Sequence, residues 1–229
     1  MSVEYKKRVT ERDGSVKVIF VRHLSTPGNE KRQYIGRTDE ALSERAVNAF
    51  CDSGRGGRVY PAAERITASP MKRCVMTAQL IWPGQEIQTE EMLRECDFGA
   101  YERKTYEELK EEPEYIRWME SGGMTAFPGG ESQTEFRARC VKGTIRWIEK
   151  WLDEGVESAA FAVHGGTIMA ALSFLAEEIS GTDGSGQAGE KFYRWQTENG
   201  GGYVAEVHPE EWRSGLRLLR NIRPLPKIG

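Results

Sequence analysis

The chain has few of the residues that build metal centres or disulfide scaffolds. Its 229 residues include only three histidines and four cysteines. Cys51, Cys74, Cys96 and Cys140 lie far apart, with no C-x-x-C pair and no cysteine–histidine spacing of a zinc site. That argues against a disulfide framework and reads as reduced thiols in a cytosolic protein. Long apolar runs are also missing. No stretch approaches the ~18 apolar residues of a membrane span, and the polar opening MSVEYKKRVTERDGS has no apolar core of the kind a signal peptide needs. The expectation is a cytoplasmic protein with no membrane partner. Charge of one sign is not in excess either. A net charge of −3 gives no global attraction to nucleic acid, so any anion site must be built locally.

What is present is an ordinary globular composition, 38% hydrophobic and 10% aromatic, too apolar for disorder. A chain of this length buries roughly 70% of its unfolded surface, so residues 1–229 are expected to form a single domain without staples. Strand-like runs at 16–21, 65–68, 86–89 and 159–163 alternate with helical patterns at 41–50, 70–82, 132–152 and 168–179. Such alternation predicts an α/β fold, a mainly parallel sheet with helices on both faces. Ser69 and Pro70 read as N-cap and first residue of one helix, and Ser132 with Glu135 as the capping box of another. A charged, helical stretch at 101–121, interrupted at Pro113, leads into the loop FPGGES. The segment from about 98 to 132 reads as an insertion able to roof a site. Runs at 203–207 and 216–222, with no helix between them, read as an edge hairpin. Gly184, Gly186 and Gly189 spell G-x-G-x-x-G but follow a helix rather than a strand, which rules against a dinucleotide fingerprint.

Two of the three histidines end apolar runs: VKVIFVRH stops at His23 and ESAAFAVHGG at His164. In open α/β sheets ligands bind beyond the carboxyl ends of the strands, so two imidazoles there can face one pocket. A lone Arg-His pair is more often a histidine satisfied by backbone. Here Arg22, Asn29 and Arg73 (in ASPMKRC) accompany it, and Gly165-Gly166-Thr167 follows His164 at a helix start whose unpaired N–H groups attract anions. Together these describe a phosphate pocket. A neutral imidazole is a nucleophile when its other nitrogen donates to a carbonyl, and arginine suits phosphate through its bidentate fork. The leaving oxygen needs a carboxyl, and LRECDFG offers Glu95 or Asp97. A metal bound by the histidines and a carboxylate is a competing reading, but Arg22 and Arg73 would repel the cation. His208, before Pro209, reads as an exposed bystander.

These residues resemble the histidine phosphatase superfamily, the fold shared with cofactor-dependent phosphoglycerate mutases. Its R-H-x-x-T-x-x-N pattern is present as Arg22, His23, Thr26 and Asn29, and its G-x-x-D-x-x-L as Gly36, Asp39 and Leu42. The S-P-x-x-R segment is Ser69, Pro70 and Arg73, followed by Thr77 and Ala78. The L-x-E-x-D-F-G-x-x-E block is Leu93, Glu95, Asp97, Phe98, Gly99 and Glu102, the P-G-G-E-S loop runs from Pro128 to Ser132, and H-G-G-x-I is His164 to Ile168. The resemblance implies a three-layer α/β/α sandwich and no metal or other cofactor. It implies His23 as nucleophile, Glu95 as acid, His164 as a further catalytic residue, and Arg22, Asn29, Arg73 and Gly165 at the phosphate.

The E-x-D-F-G block and the P-G-G-E-S loop look like the phosphatase branch, with α-ribazole-5′-phosphate phosphatases and broad-specificity phosphatases, rather than the mutases. The implied reaction is hydrolysis of a small phosphorylated metabolite, possible substrates including α-ribazole 5′-phosphate. Mutase-type phosphoryl transfer and a non-catalytic phosphate-binding module are the alternatives. Arg37 and Arg103 are expected near the leaving group. The chain departs from the pattern at Leu24, which replaces a glycine and is expected to narrow the mouth or alter the backbone, and at Arg103, which replaces the glycine of a W-E-G element. Nothing in the sequence sets an oligomeric state.

Overall fold

A computed structural model describes residues 14–52, 59–121, 123, 125–177 and 188–226. The first strand, β1 (Val16–Arg22), alternates its apolar residues to both sides. Val16, Val18 and Phe20 enter one core cluster, Ile19 and Val21 another. A short α1 (Pro27–Glu30) and α2 (Glu44–Asp52) follow, then β2 (Arg65–Ala68), α3 (Lys72–Ile81) and β3 (Ile87–Thr89). The charged segment forms α4 (Tyr106–Leu109) and α5 (Pro113–Glu120), and the long α6 spans Gln133–Glu154. After β4 (Ser158–Val163) come α7 (Gly165–Leu175), α8 (Ala188–Tyr193), β5 (Gly202–Val207), α9 (Pro209–Arg213) and β6 (Arg220–Pro224).

The six strands form one sheet in the order β3-β2-β4-β1-β5-β6. The first four are parallel, and β5 and β6 each run antiparallel to the preceding neighbour. In register, Phe20 of β1 sits beside Phe161 of β4, their rings stacked 5.1 Å apart. α6, α7 and α9 cover that face through Trp147, Trp151, Leu172 and Trp212. α2 and α3 cover the other through Phe50, Cys74, Ala78 and Ile81. The period of two in the strands thus feeds both layers, and the expected α/β/α sandwich is what forms. A third, aromatic cluster sits outside these layers. Tyr101, Tyr115 and Phe127 pack with Phe136 of α6 and Phe192 of α8. Among the described residues no helix is long and apolar enough to cross a membrane.

Several boundaries differ from expectation. α2 starts at Glu44, not at 41, because Ser43 caps it by accepting the Ala46 N–H at 3.1 Å. α3 starts at Lys72 with Met71 at its N-cap position, because the Ser69 hydroxyl is taken by His164. Pro113 opens α5 rather than merely breaking a longer helix. α7 begins three residues earlier than the pattern suggests and ends at Leu175, and positions 178–179 of the expected helix lie outside the described residues. α9 separates β5 from β6, although the two strands still pair at the sheet edge. Five residues are too few for helical periodicity to show. The last strand is Arg220–Pro224 rather than 216–222, since Leu216 is exposed and Leu219 instead bridges Ala176. His208, expected to be exposed, is half-buried at the start of α9. Of the rejected glycine motif, Gly184 and Gly186 lie outside the described residues.

Candidate active site

The carboxyl ends of β1, β2 and β4 are neighbours, and each delivers part of one pocket. His23 leaves β1 with its N–H bonded to Val163 O at 2.9 Å. Its Nδ1 lies 2.7 Å from Leu24 O. A carbonyl only accepts, so Nδ1 carries the proton and Nε2 the lone pair. His164, directly after β4, faces it with ring centroids 5.2 Å apart at 71°. Its Nδ1 accepts from Arg73 Nε at 3.2 Å, and its Nε2 therefore carries the proton donated to Ser69 Oγ at 2.8 Å. Burial, followed by the charge of Arg73, pushes both imidazoles well below their ordinary pKa of 6.5. Both are neutral at pH 7. The Cys74 thiol lies 3.5 Å from His164 Nε2, but burial pushes it up to about 12, so it stays protonated and inert.

Arg73, in the first turn of α3, is fully buried. Nη1 donates to Thr38 O at 2.7 Å and Nη2 to Gly36 O at 2.8 Å. Those carbonyls are themselves held in place. The Glu102 carboxylate accepts from the N–H groups of Gly36, Arg37, Thr38 and Phe98 and from the Thr38 hydroxyl, at 2.6 to 3.2 Å. Arg22 donates from Nη1 to Thr197 O at 2.6 Å, and its Nε is buried without a partner among the described residues. Burial lowers its pKa, and the nearby Glu95 charge opposes that. Among the described residues neither Arg22 nor Arg73 pairs with a carboxylate. Two enclosed guanidiniums and two neutral imidazoles leave positive charge that a dianion would balance.

Glu95 reaches the same pocket from the other side. Its carboxylate accepts from its neighbour Cys96 N–H at 3.0 Å and from Gly166 N–H, in the first turn of α7, at 3.1 Å. Glycine at 166 is called for by this approach, since a Cβ there would lie 2.2 Å from Glu95 Oε1 and 2.9 Å from the Phe136 ring, whereas one at Gly165 would only crowd Arg22 Nε at 3.3 Å. Asp97 is turned elsewhere, accepting from Gly99 N–H at 2.8 Å and pairing with Arg37 at 3.4 Å. Of the two candidate acids, the structure brings only Glu95 to the α7 N-terminus and Arg22.

The remaining expected residues are more peripheral. Asn29 closes a capping box with Thr26, its Oδ1 accepting from Thr26 N–H at 3.2 Å and from Asn199 Nδ2 at 3.3 Å. Arg37 is at the rim, its side chain 57% exposed. Leu24 is buried in the cluster under α2 and α3, with its N–H on Thr77 Oγ1 at 3.0 Å. Asn199 was not foreseen. It donates to His23 O at 2.9 Å, and Gly200 N–H donates to Arg22 O at 3.0 Å. The only sequence signal was the turn composition Asn-Gly-Gly before a strand.

This is the architecture of an α/β phosphoryl-transfer enzyme. The chain belongs to the histidine phosphatase superfamily (branch 1), whose model matches residues 18–214, and it is a phosphatase of that family. It is similar to a Hydrogenobacter thermophilus protein named "Putative phosphoserine phosphatase 2", 26% identical over 90% of this chain and 96% of that one. Solved structures with the same fold include the α-ribazole phosphatase from Shigella flexneri (TM-score 0.73, 17% identity, 93% and 98% of the two chains). A phosphoglycerate mutase from Thermus thermophilus is also similar (TM-score 0.58, 25% identity, 92% and 99%).

Proposed function

We propose that the protein hydrolyses phosphate monoesters of small metabolites through a phosphohistidine at His23, without a metal ion. The observation that carries this reading is the buried Arg73 and half-buried Arg22 guanidiniums, neither paired with a carboxylate among the described residues, set around an imidazole whose Nδ1 proton is held by Leu24 O. In the first step His23 Nε2 attacks phosphorus, and the bond to the ester oxygen breaks. That oxygen takes the proton of the Glu95 carboxyl and departs as an alcohol. Arg22 and Arg73 balance charge on the nonbridging oxygens, with His164 beside them. In the second step Glu95, now a carboxylate, takes a proton from water as the water oxygen attacks phosphorus. The N–P bond breaks, inorganic phosphate leaves, and His23 returns to its starting tautomer. Asn29 and Gly165 complete the phosphate end of the pocket. Arg37 meets the leaving group at a cleft of about 580 Å³ lined also by Arg94, Glu95 and Asp97.

The test is phosphate release from p-nitrophenyl phosphate by wild type and His23→Ala, both in excess chelator. Turnover in wild type that falls by at least about 10³-fold in folded His23→Ala supports the reading. Equal turnover in both, or loss of wild-type turnover to chelator, overturns it. A panel then names the substrate. It begins with L-phosphoserine, after the relative matched over nearly its whole length, and α-ribazole 5′-phosphate, after the fold neighbour. Isomerisation of 3-phosphoglycerate without phosphate release would instead support mutase-type transfer.

A further inference from the structure

The residues around Glu95 belong to no strand or long helix. They run out of a 3₁₀ turn, Glu91–Leu93, into irregular chain. A general acid must sit within hydrogen-bond reach of the leaving oxygen, so something else has to fix this backbone. Arg139, on α6, does so with all five of its N–H donors. Nη1 donates to Met92 O at 3.0 Å and to Arg94 O at 2.7 Å, and Nη2 donates to Glu95 O at 2.9 Å. The other two donors, from Nε and Nη2, grip the two oxygens of Glu131 at 2.6 and 2.7 Å. Glu131 is tied back in turn, its N–H on Asp97 O at 2.9 Å. The clamp therefore holds the chain on both sides of Glu95. Both side chains are mostly buried, 25% and 16% exposed, and the guanidinium lies 5.1 Å from the Phe136 ring centre.

We infer that Arg139, oriented by Glu131, is the positioning residue for proton transfer at Glu95. This rests on the reading of Glu95 as the acid. The fork geometry is what the role demands. A lysine offers one point of donation and cannot span three carbonyls and a carboxylate at once. Because the guanidinium touches neither the phosphate arginines nor His23, its loss leaves phosphorus–nitrogen bond formation in place. It affects the two proton transfers at Glu95, to the leaving oxygen in the first step and from the attacking water in the second, and only the first of these distinguishes one ester from another.

The test compares p-nitrophenyl phosphate, whose leaving group departs without a proton, with the alkyl phosphate that wild type hydrolyses fastest. Wild type, Glu95→Gln, Arg139→Gln, Arg139→Lys and Glu131→Gln are assayed on both. For Arg139→Gln and Arg139→Lys, the first-turnover release of alcohol from the alkyl ester, before the phosphohistidine hydrolyses, is expected to slow by about 10²-fold while first-turnover release of p-nitrophenol changes by less than about threefold. Combined with Glu95→Gln, Arg139→Gln should add no further loss on the alkyl ester. Should the Arg139 variants not fold, Glu131→Gln, which loosens the fork, should show the same selectivity in weaker form. Equal slowing of both esters in the first turnover, or of neither, overturns the inference. If Glu95→Gln alone is selective, the acid assignment stands and only the role of Arg139 falls; if Glu95→Gln is not selective, the acid assignment falls with it.

Discussion

Arg103 holds a backbone conformation that side chains disfavour, with φ at +65°. Its N–H donates to Tyr34 O at 2.8 Å, so the turn cannot relax without losing that bond. A left-handed residue with a Cβ costs about 1–2 kcal/mol, which explains why the family element has glycine there. Part of that cost is offset because glycine also loosens the unfolded chain. Arg103→Gly should therefore raise stability by up to about 1 kcal/mol, read as a higher denaturation midpoint. A lower midpoint would show that the Arg103 side chain does more than occupy a strained turn. Residues of this kind mark how far the sequence was readable. His23, Arg73, His164 and Glu95 were legible because each is a chemically distinctive side chain at a strand end or in a short motif. Asn199 was not, because a turn asparagine that braces His23 through its carbonyl looks like any other turn asparagine. Ser69 was misread for a related reason: a serine before proline suits a helix cap, and only the fold shows that its hydroxyl meets His164.

Among the elements, those with strong local signals formed where expected. Ser132 and Glu135 make their reciprocal bonds, and α6 ends in Gly155 with φ at +69°. The loop at 36–38 had no such signal, because its structure is imposed by a distant carboxylate. Glu102 gathers three successive N–H groups and a hydroxyl from that loop and turns its carbonyls toward Arg73. Glu102→Gln replaces an acceptor with a donor facing other donors. It should cost about 1–3 kcal/mol of stability. It should also weaken competitive inhibition by inorganic phosphate and slow alkyl and aryl esters alike, since the phosphate end is what shifts. Slowing confined to alkyl esters would place its effect at Glu95 instead.

For the molecule as a whole, the site makes stability depend on pH. His23 and His164 are neutral when folded, with pKa values held below the 6.5 of the unfolded chain. Between those values the unfolded state binds more protons, so stability is full above about pH 6.5 and falls as the pH drops below it. The melting temperature should decline from pH 6.5 to 5.5, above the range where carboxylates titrate, and less steeply in His164→Gln. A flat profile over that interval would contradict neutral, buried imidazoles. The alternation of strands and helices made the three layers legible, but strand order was not, because adjacency between distant segments leaves no mark on local sequence.

That strand order also dictates when the enzyme comes into being. β1 and β2, which precede His23 and Arg73, are not neighbours; β4 lies between them. A nascent chain can therefore make His23 and Arg73 early and still have no pocket. Only when β4 has wedged between the two earlier strands do His23 and Arg73 meet His164, and the residues that brace Arg22 and His23, Thr197, Asn199 and Gly200, follow later still. The pocket is therefore completed late in synthesis, and a chain stopped before β4 carries His23 without the residues that face it.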